Sequence, residues 1–404
     1  MKVAGQIESR TYPTNVDDGG FSEAEYARRN DAVARLMGDH DLSAILFYGA
    51  RGGGDVHYMA NWVPSMESFL LWPADGDPTL FVQLYNHVPQ ARQMAVIDDV
   101  RFGGSNERGT VDSSAEVLAA IRGKGLERGR IGISGGVPYR TFDRLRSALE
   151  GVQLVDVSGE MRDIRTIRSD EEFDRIARAA SLSDRAILAL SESARPGMTE
   201  LDLGAIVDEA QRQEGGYTTL RHIVSTPMAA PAACVPAKYL TDRVLETGDV
   251  FVVELSAGWG GYSGQVLRTF TVGQQPTRQF QELHEVTMAA YRAARATIRD
   301  GAAVEDLLDA VDLIDRAGFS ICDDLLHGAN QFPPILRTWQ TSHGVPKGMR
   351  FREGMAVVLQ PNVITVDGSA GVQYGQMLKV TADGVEDLHH AIDGLIVCAR
   401  DGAE

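Results

Sequence analysis

The stretch Asp249-Val250-Phe251-Val252-Val253-Glu254-Leu255, followed by Gly261-Tyr262-Ser263-Gly264-Gln265-Val266-Leu267-Arg268-Thr269-Phe270, decides how the second half of this chain is read. Val250–Leu255 and Thr269–Val272 are apolar runs of strand length. A carboxylate, Glu254, sits inside the first run, and an amide, Gln265, follows eleven residues later. Further strands are expected at Ala356–Leu359 and Met377–Val380, and helices near 276–299 and 303–317. Strand pairs flanking helices make this half an α+β domain.

Upstream the texture differs. Ser169 and Glu172 form a capping box that opens a helix over 169–194, which runs until Pro196-Gly197. A second helix starts after Thr199. Before residue 160, helices at 22–39, 113–121 and 140–149 alternate with strands at Ala44–Tyr48, Phe69–Trp72, Thr79–Gln83, Arg130–Ser134 and Gln153–Val157. That alternation predicts an α/β domain with a largely parallel sheet. The turn Arg51-Gly52-Gly53-Gly54-Asp55 lacks a lysine and a following helix, so it reads as a plain turn and not a phosphate loop.

Composition bounds the function. With 404 residues, two domains are expected, divided as 1–162 and 163–404. A net charge of −17 argues against nucleic acid and anionic membrane as partners. No apolar run approaches the roughly 20 residues that span a bilayer. The N-terminus shows no apolar h-region, and Cys234, Cys322 and Cys398 stand far apart without a CxxC pair. A cytoplasmic protein without structural disulfides is the expectation.

Several segments taken in order resemble the creatinase and aminopeptidase P family. They are Ile164-Arg165-Thr166-Ile167-Arg168-Ser169-Asp170-Glu171-Glu172, Gly197-Met198-Thr199-Glu200, the two strands quoted above, His327-Gly328, and Gly354-Met355-Ala356-Val357-Val358-Leu359-Gln360-Pro361. The resemblance implies an α/β N-terminal creatinase-like domain and an α+β pita-bread C-terminal domain. It also implies a homodimer, with the N-terminal domain of one subunit edging the other's pocket.

Metal-dependent members of that family hold two divalent ions with Asp, Asp, His, Glu and Glu. The matching positions here are Glu254, Gln265, His327, Gln360 and Gly375, the last beside Gln376. An additional family histidine falls at Ala237. One carboxylate, one imidazole and neutral amides do not replace bridging carboxylates. No metal and no other cofactor is expected, unless a shifted alignment hides ligands at Asp323 or Asp324. Glutamines both donate and accept, so the set reads as a polar pocket for a small molecule.

His327 is the expected proton-transfer group and Glu254 its expected partner. Gln265, Gln360, Gln376, Tyr262 and His222 are expected to bind substrate, with His222, Lys238, Tyr239 and Tyr262 as substitutes for the missing upstream histidine. Trp62 and Glu67 lie in the segment that reaches the partner's pocket in this family, and Arg51 and Arg337 are alternative carboxylate readers. The expected function is metal-independent hydrolysis of a C–N bond (amide, urea or amidine) in a small polar metabolite. The alternatives are a lyase, cyclase or isomerase using the same residues, or a catalytically silent peptide- or protein-binding member.

Overall fold

The computed structural model describes residues 20–50, 54–107, 110–342, 344 and 348–398. The chain divides between Arg165 and Thr166 into two compact units.

The N-terminal unit runs α1 (Glu23–Asp39), β1 (Ala44–Ala50), α2 (Gly54–Ala60), β2 (Glu67–Pro73), β3 (Thr79–Val82), α3 (Val88–Met94), β4 (Asp99–Phe102), β5 (Ser105–Glu107), β6 (Thr110–Asp112), α4 (Ser114–Gly123), β7 (Gly129–Ser134), α5 (Tyr139–Ala148), β8 (Val152–Asp156) and α6 (Ser158–Thr166). The main sheet has the order β4-β3-β2-β1-β7-β8. The apolar run Ala44–Phe47 makes β1 a central strand, buried on both faces.

The sheet is mixed where the sequence suggested largely parallel pairing. β1 pairs parallel to β7, but β2 is antiparallel to both β1 and β3. For β2 and β3 the reason is connection length. The β2–β3 link is the short turn at Asp75–Pro78, with Gly76 at φ +95°, too short for a parallel crossover. The glycine-rich turn also differs from its reading, because the helix α2 does follow it, starting at Gly54 with φ +61°. Residues 51–53 of that turn, Arg51 among them, lie outside the described residues.

The second unit runs α7 (Asp170–Ser193), α8 (Glu200–Arg212), β9 (Tyr217–Pro227), β10 (Asp249–Trp259), β11 (Tyr262–Val272), α9 (Arg278–Arg295), α10 (Val304–Ala310), α11 (Leu313–Arg316), β12 (Ser320–Ile321), β13 (Leu326–Gly328), β14 (Phe332–Leu336), β15 (Ala356–Leu359), β16 (Asn362–Ile364), β17 (Gly371–Gln373), β18 (Gly375–Val380), β19 (Val385–Asp387) and β20 (Ile396–Cys398). Capping boxes open the first two helices. Ser169 and Glu172 start α7, and Thr199 and Asp202 start α8. The helix expected over 303–317 is instead two short ones, α10 and α11.

The large sheet has the order β14-β13-β15-β18-β11-β10-β9. β10 and β11 form one long hairpin, paired from Val250↔Thr271 to Trp259↔Tyr262. Gly260 and Gly261, at φ +54° and +81°, supply the two left-handed residues of its turn. Alternation along these strands separates the faces. Phe251, Val253, Leu255 and Val266 form a core with Ile187, Leu190, Leu203 and Val207 of α7 and α8. Val357, Leu359 and Leu378 join Phe280, Leu283 and Leu307 of α9 and α10. Gly264 lets the hairpin approach α7 closely, since a Cβ there would stand 2.3 Å from the Ala180 nitrogen. The other face carries Glu254, Gln265 and Leu267, and there Leu267, Val358 and Met377 cluster with Phe173 and Ile176 from the start of α7.

Candidate active site

Strand register brings the polar residues of the second unit to one face. Glu254 on β10 stands opposite His222 on β9 and Leu267 on β11. Gln265 precedes Leu267 by two, so it shares that face. Leu267 pairs with Gly375, Val358 with Met377, and His327 with Val358. Directly paired residues point the same way. His222, Glu254, Gln265, Gly375 and His327 therefore line one surface drawn from five strands.

Hydrogen bonds tie these groups into a chain. Gln265 Nε2 donates to Glu254 Oε1 at 2.7 Å and to Gln360 Oε1 at 3.0 Å. Gln360 Nε2 lies 3.4 Å from Asp323 Oδ2, and Gln373 Nε2 donates to the same oxygen at 3.0 Å. At the other end His222 Nδ1 is 3.5 Å from Glu254 Oε2. Burial is graded along the chain. The His222 side chain is 26% exposed and Glu254 13%, whereas Gln360 and Gln373 are buried. The accessible end of the chain is thus its imidazole–carboxylate pair. Burial, and after it the charge of Glu254, push the Asp323 carboxyl above its ordinary range.

Two features shape the positions where the family carries ligands. Glu254 and Gln360 receive the Gln265 amide from opposite sides, so an N–H group occupies the space between them. A Cβ at Gly375 would come within 2.6 Å of Gln360 Cα and Leu359 O. The backbone of Gln360 fills the place a side chain at 375 would need. Among the described residues, no three His, Cys, Asp or Glu side chains converge closely enough to hold a metal ion.

The partners of the two histidines differ from those expected. Glu254 pairs with His222 and Gln265, not with His327. His327 Nδ1 is 2.9 Å from Gly328 O. A carbonyl only accepts, so Nδ1 donates to it, and in the neutral ring Nε2 is the accepting nitrogen. That Nε2 is buried without a hydrogen-bond partner among the described residues. His222 lies beside the segment of the missing family histidine, since Ile223 N donates to Ala237 O at 3.0 Å. Lys238 and Tyr239 pack on each other instead, and Tyr239 is 78% exposed.

Two expected substrate contacts, Gln376 and Tyr262, fall elsewhere in the second unit. Gln376 alternates to the opposite face, where Arg268 Nη2 donates to it and it donates to Asp387. Tyr262 donates to Glu172 at the start of α7. It stands five residues along β11 from Leu267, roughly 16 Å from the Glu254 level. In the N-terminal unit Trp62 is a core residue, 4% exposed, with its indole N–H on Ser68 Oγ. Glu67 accepts from Ser113 Oγ in the same unit, and burial raises its carboxyl above the usual range. Arg337 is held by Asp324. Gln373, missed in the sequence, belongs to the site. Its signal was its place two residues before Gly375, on a strand too short to register.

A mixed α/β unit, followed by a curled antiparallel sheet that gathers polar groups on one face, defines a two-domain creatinase/prolidase type of protein. The chain belongs to metallopeptidase family M24, whose profile matches residues 174–382, and the creatinase/prolidase N-terminal domain matches residues 29–167. Its C-terminal unit has the pita-bread fold. It is 24% identical over 368 residues to a Xaa-Pro dipeptidase of Pyrococcus horikoshii, covering 89% of this chain and 97% of that one. It is 23% identical to an uncharacterised peptidase of Bacillus subtilis, covering 91% and 99% of the two chains. The X-Pro aminopeptidase of Thermotoga maritima superposes with a TM-score of 0.77 at 19% identity, covering 91% and 99%.

Proposed function

We propose that this chain hydrolyses a C–N bond in a small polar metabolite without the two-ion centre of its metal-dependent relatives. The observation that carries this reading is the Gln265 amide, which donates to both Glu254 and Gln360 where bridging carboxylates would be needed. The donor set does not fit two divalent ions. Their charge needs several carboxylates, and the face offers Glu254, with Asp323 already bound to two amides and held toward its neutral form. Gly375 adds no donor, because its side-chain space is taken.

Glu254 takes a proton from the attacking water, and the hydroxide adds to the carbonyl or amidine carbon. His222, beside Glu254, delivers a proton to the nitrogen as the C–N bond breaks. Gln360 holds the substrate's polar atoms, and the Nε2 hydrogen that it does not spend on Asp323 stabilises charge on the developing tetrahedral centre. His327 offers its Nε2 lone pair to a substrate N–H or O–H. The prolidase relatives favour a second reading, hydrolysis of a dipeptide.

A thermal-shift screen with amides, ureas, amidines, N-acyl amino acids and Xaa-Pro dipeptides separates the two. A ligand at 100 times its Kd adds about 2.7 kcal/mol of stability. A non-peptide compound that raises Tm and releases amine or ammonia in the presence of a chelator supports the proposal. Turnover restricted to dipeptides, and dependent on added manganese, cobalt or zinc, contradicts it.

A further inference from the structure

Cys234 and Cys322 are 88 positions apart in sequence, yet their sulfurs lie 3.9 Å apart. Their separation along the chain hid this pairing. The approach is held by one buried side chain: Asn362 Nδ2 donates to Cys234 O at 3.0 Å, and Asn362 Oδ1 accepts from Cys322 Sγ at 3.4 Å. A second feature fixes Cys234 from below. A Cβ at residue 371 would stand 2.1 Å from Cys234 O, so the backbone can rest there only because Gly371 has no side chain. Cys234 thus sits on β17, beside the Ala233↔Ala370 bridge. Cys322 is exposed at the surface, and it directly precedes Asp323, which gathers Gln360 and Gln373 in the candidate site.

We propose that Cys234 and Cys322 form a reversible disulfide that ties the segment 228–240 to the segment carrying Asp323, making the site sensitive to thiol–disulfide poise. The sulfurs must close from 3.9 Å to about 2.05 Å. A low-molecular-weight disulfide is the oxidant. The Cys234 thiolate attacks one of its sulfurs, forming a mixed disulfide and releasing one small thiolate. Cys322 then loses its proton and attacks the Cys234 sulfur, forming the protein disulfide and releasing the second small thiolate. The protein loses two thiol hydrogens, and the oxidant is reduced to two thiols. Partial desolvation of its sulfur, with the neighbouring Cys234 next, pushes the Cys322 thiol up to about 12. The Cys234 share of that rise ends once Cys234 is in the mixed disulfide. Cys398 is fully buried, and burial holds its thiol at about 12, so it serves as an internal control.

The experiment needs no substrate. Reduced full-length protein is incubated with oxidised glutathione, its thiols are counted in denaturant, and its unreduced peptides are mapped. The proposal expects two of the three thiols to be lost, one peptide pair joined through Cys234 and Cys322, and full recovery with dithiothreitol. Cys322→Ser should leave a glutathione adduct on Cys234 and no link, Cys234→Ser should give no link, and Cys398→Ser should behave as the natural chain. Hydrogen exchange in 228–240 and 320–325 should slow on oxidation. Three persisting thiols, or stable glutathione adducts without the link, would overturn the pairing. A link that leaves exchange in both segments unchanged would overturn the tether.

Discussion

Glu254 is where the proposed chemistry converges, because it alone joins an accessible imidazole to the buried amides. Removing a general acid–base group costs about 10²–10⁴-fold in rate. Glu254→Gln and His222→Ala are each expected to cut turnover by at least the lower figure with melting temperature little changed. Gln360→Ala and His327→Ala should mainly weaken binding. Steady-state kinetics beside a melting curve reads both. Asp323 gives a pH signature. Its carboxyl is held above its unfolded value of about 3.9, so the folded state binds this proton more tightly than the unfolded chain. Its contribution to stability is fully present below the unfolded value and is lost as pH rises through the raised folded value. Asp323→Asn removes that loss, so its denaturation midpoints should fall less than those of the natural chain from acid to neutral pH.

At the scale of elements, the steric closure at Gly375 is the sharpest test. Gly375→Ala forces Gln360 or Leu359 to move, and overpacking of this kind costs about 1–3 kcal/mol. Ser169→Ala removes half of the α7 capping box and should cost about 1 kcal/mol, read by urea denaturation. These elements also mark how much the sequence discloses. The caps of α7 and α8 were legible because capping is local chemistry. The full length of the β10–β11 hairpin is not legible in the sequence, because Glu254, Ser256 and Gln265 break the apolar run on the polar face. Glu254, Gln265, Gln360 and His222 could be named from one-dimensional order, but who pairs with whom could not. Glu254 choosing His222 over His327 is a matter of strand neighbours. The same alternation that puts Gln265 on the polar face puts Gln376 on the other one.

For the whole molecule, no helix among the described residues is long and apolar enough to cross a membrane. The homodimer expected from the family is a prediction for light scattering, which should give about twice the 43.8 kDa chain mass at micromolar concentration. The 43.8 kDa mass alone would remove the shared-pocket expectation. The pita-bread architecture belongs to ion-binding relatives, yet the face that would hold ions is knit together by glutamine amides. A calorimetric titration of manganese into chelator-treated protein tests that contrast most directly. The account predicts no binding at micromolar manganese, and a heat trace indistinguishable from that of Glu254→Gln. Two ions bound per chain, both lost in Glu254→Gln, would contradict it.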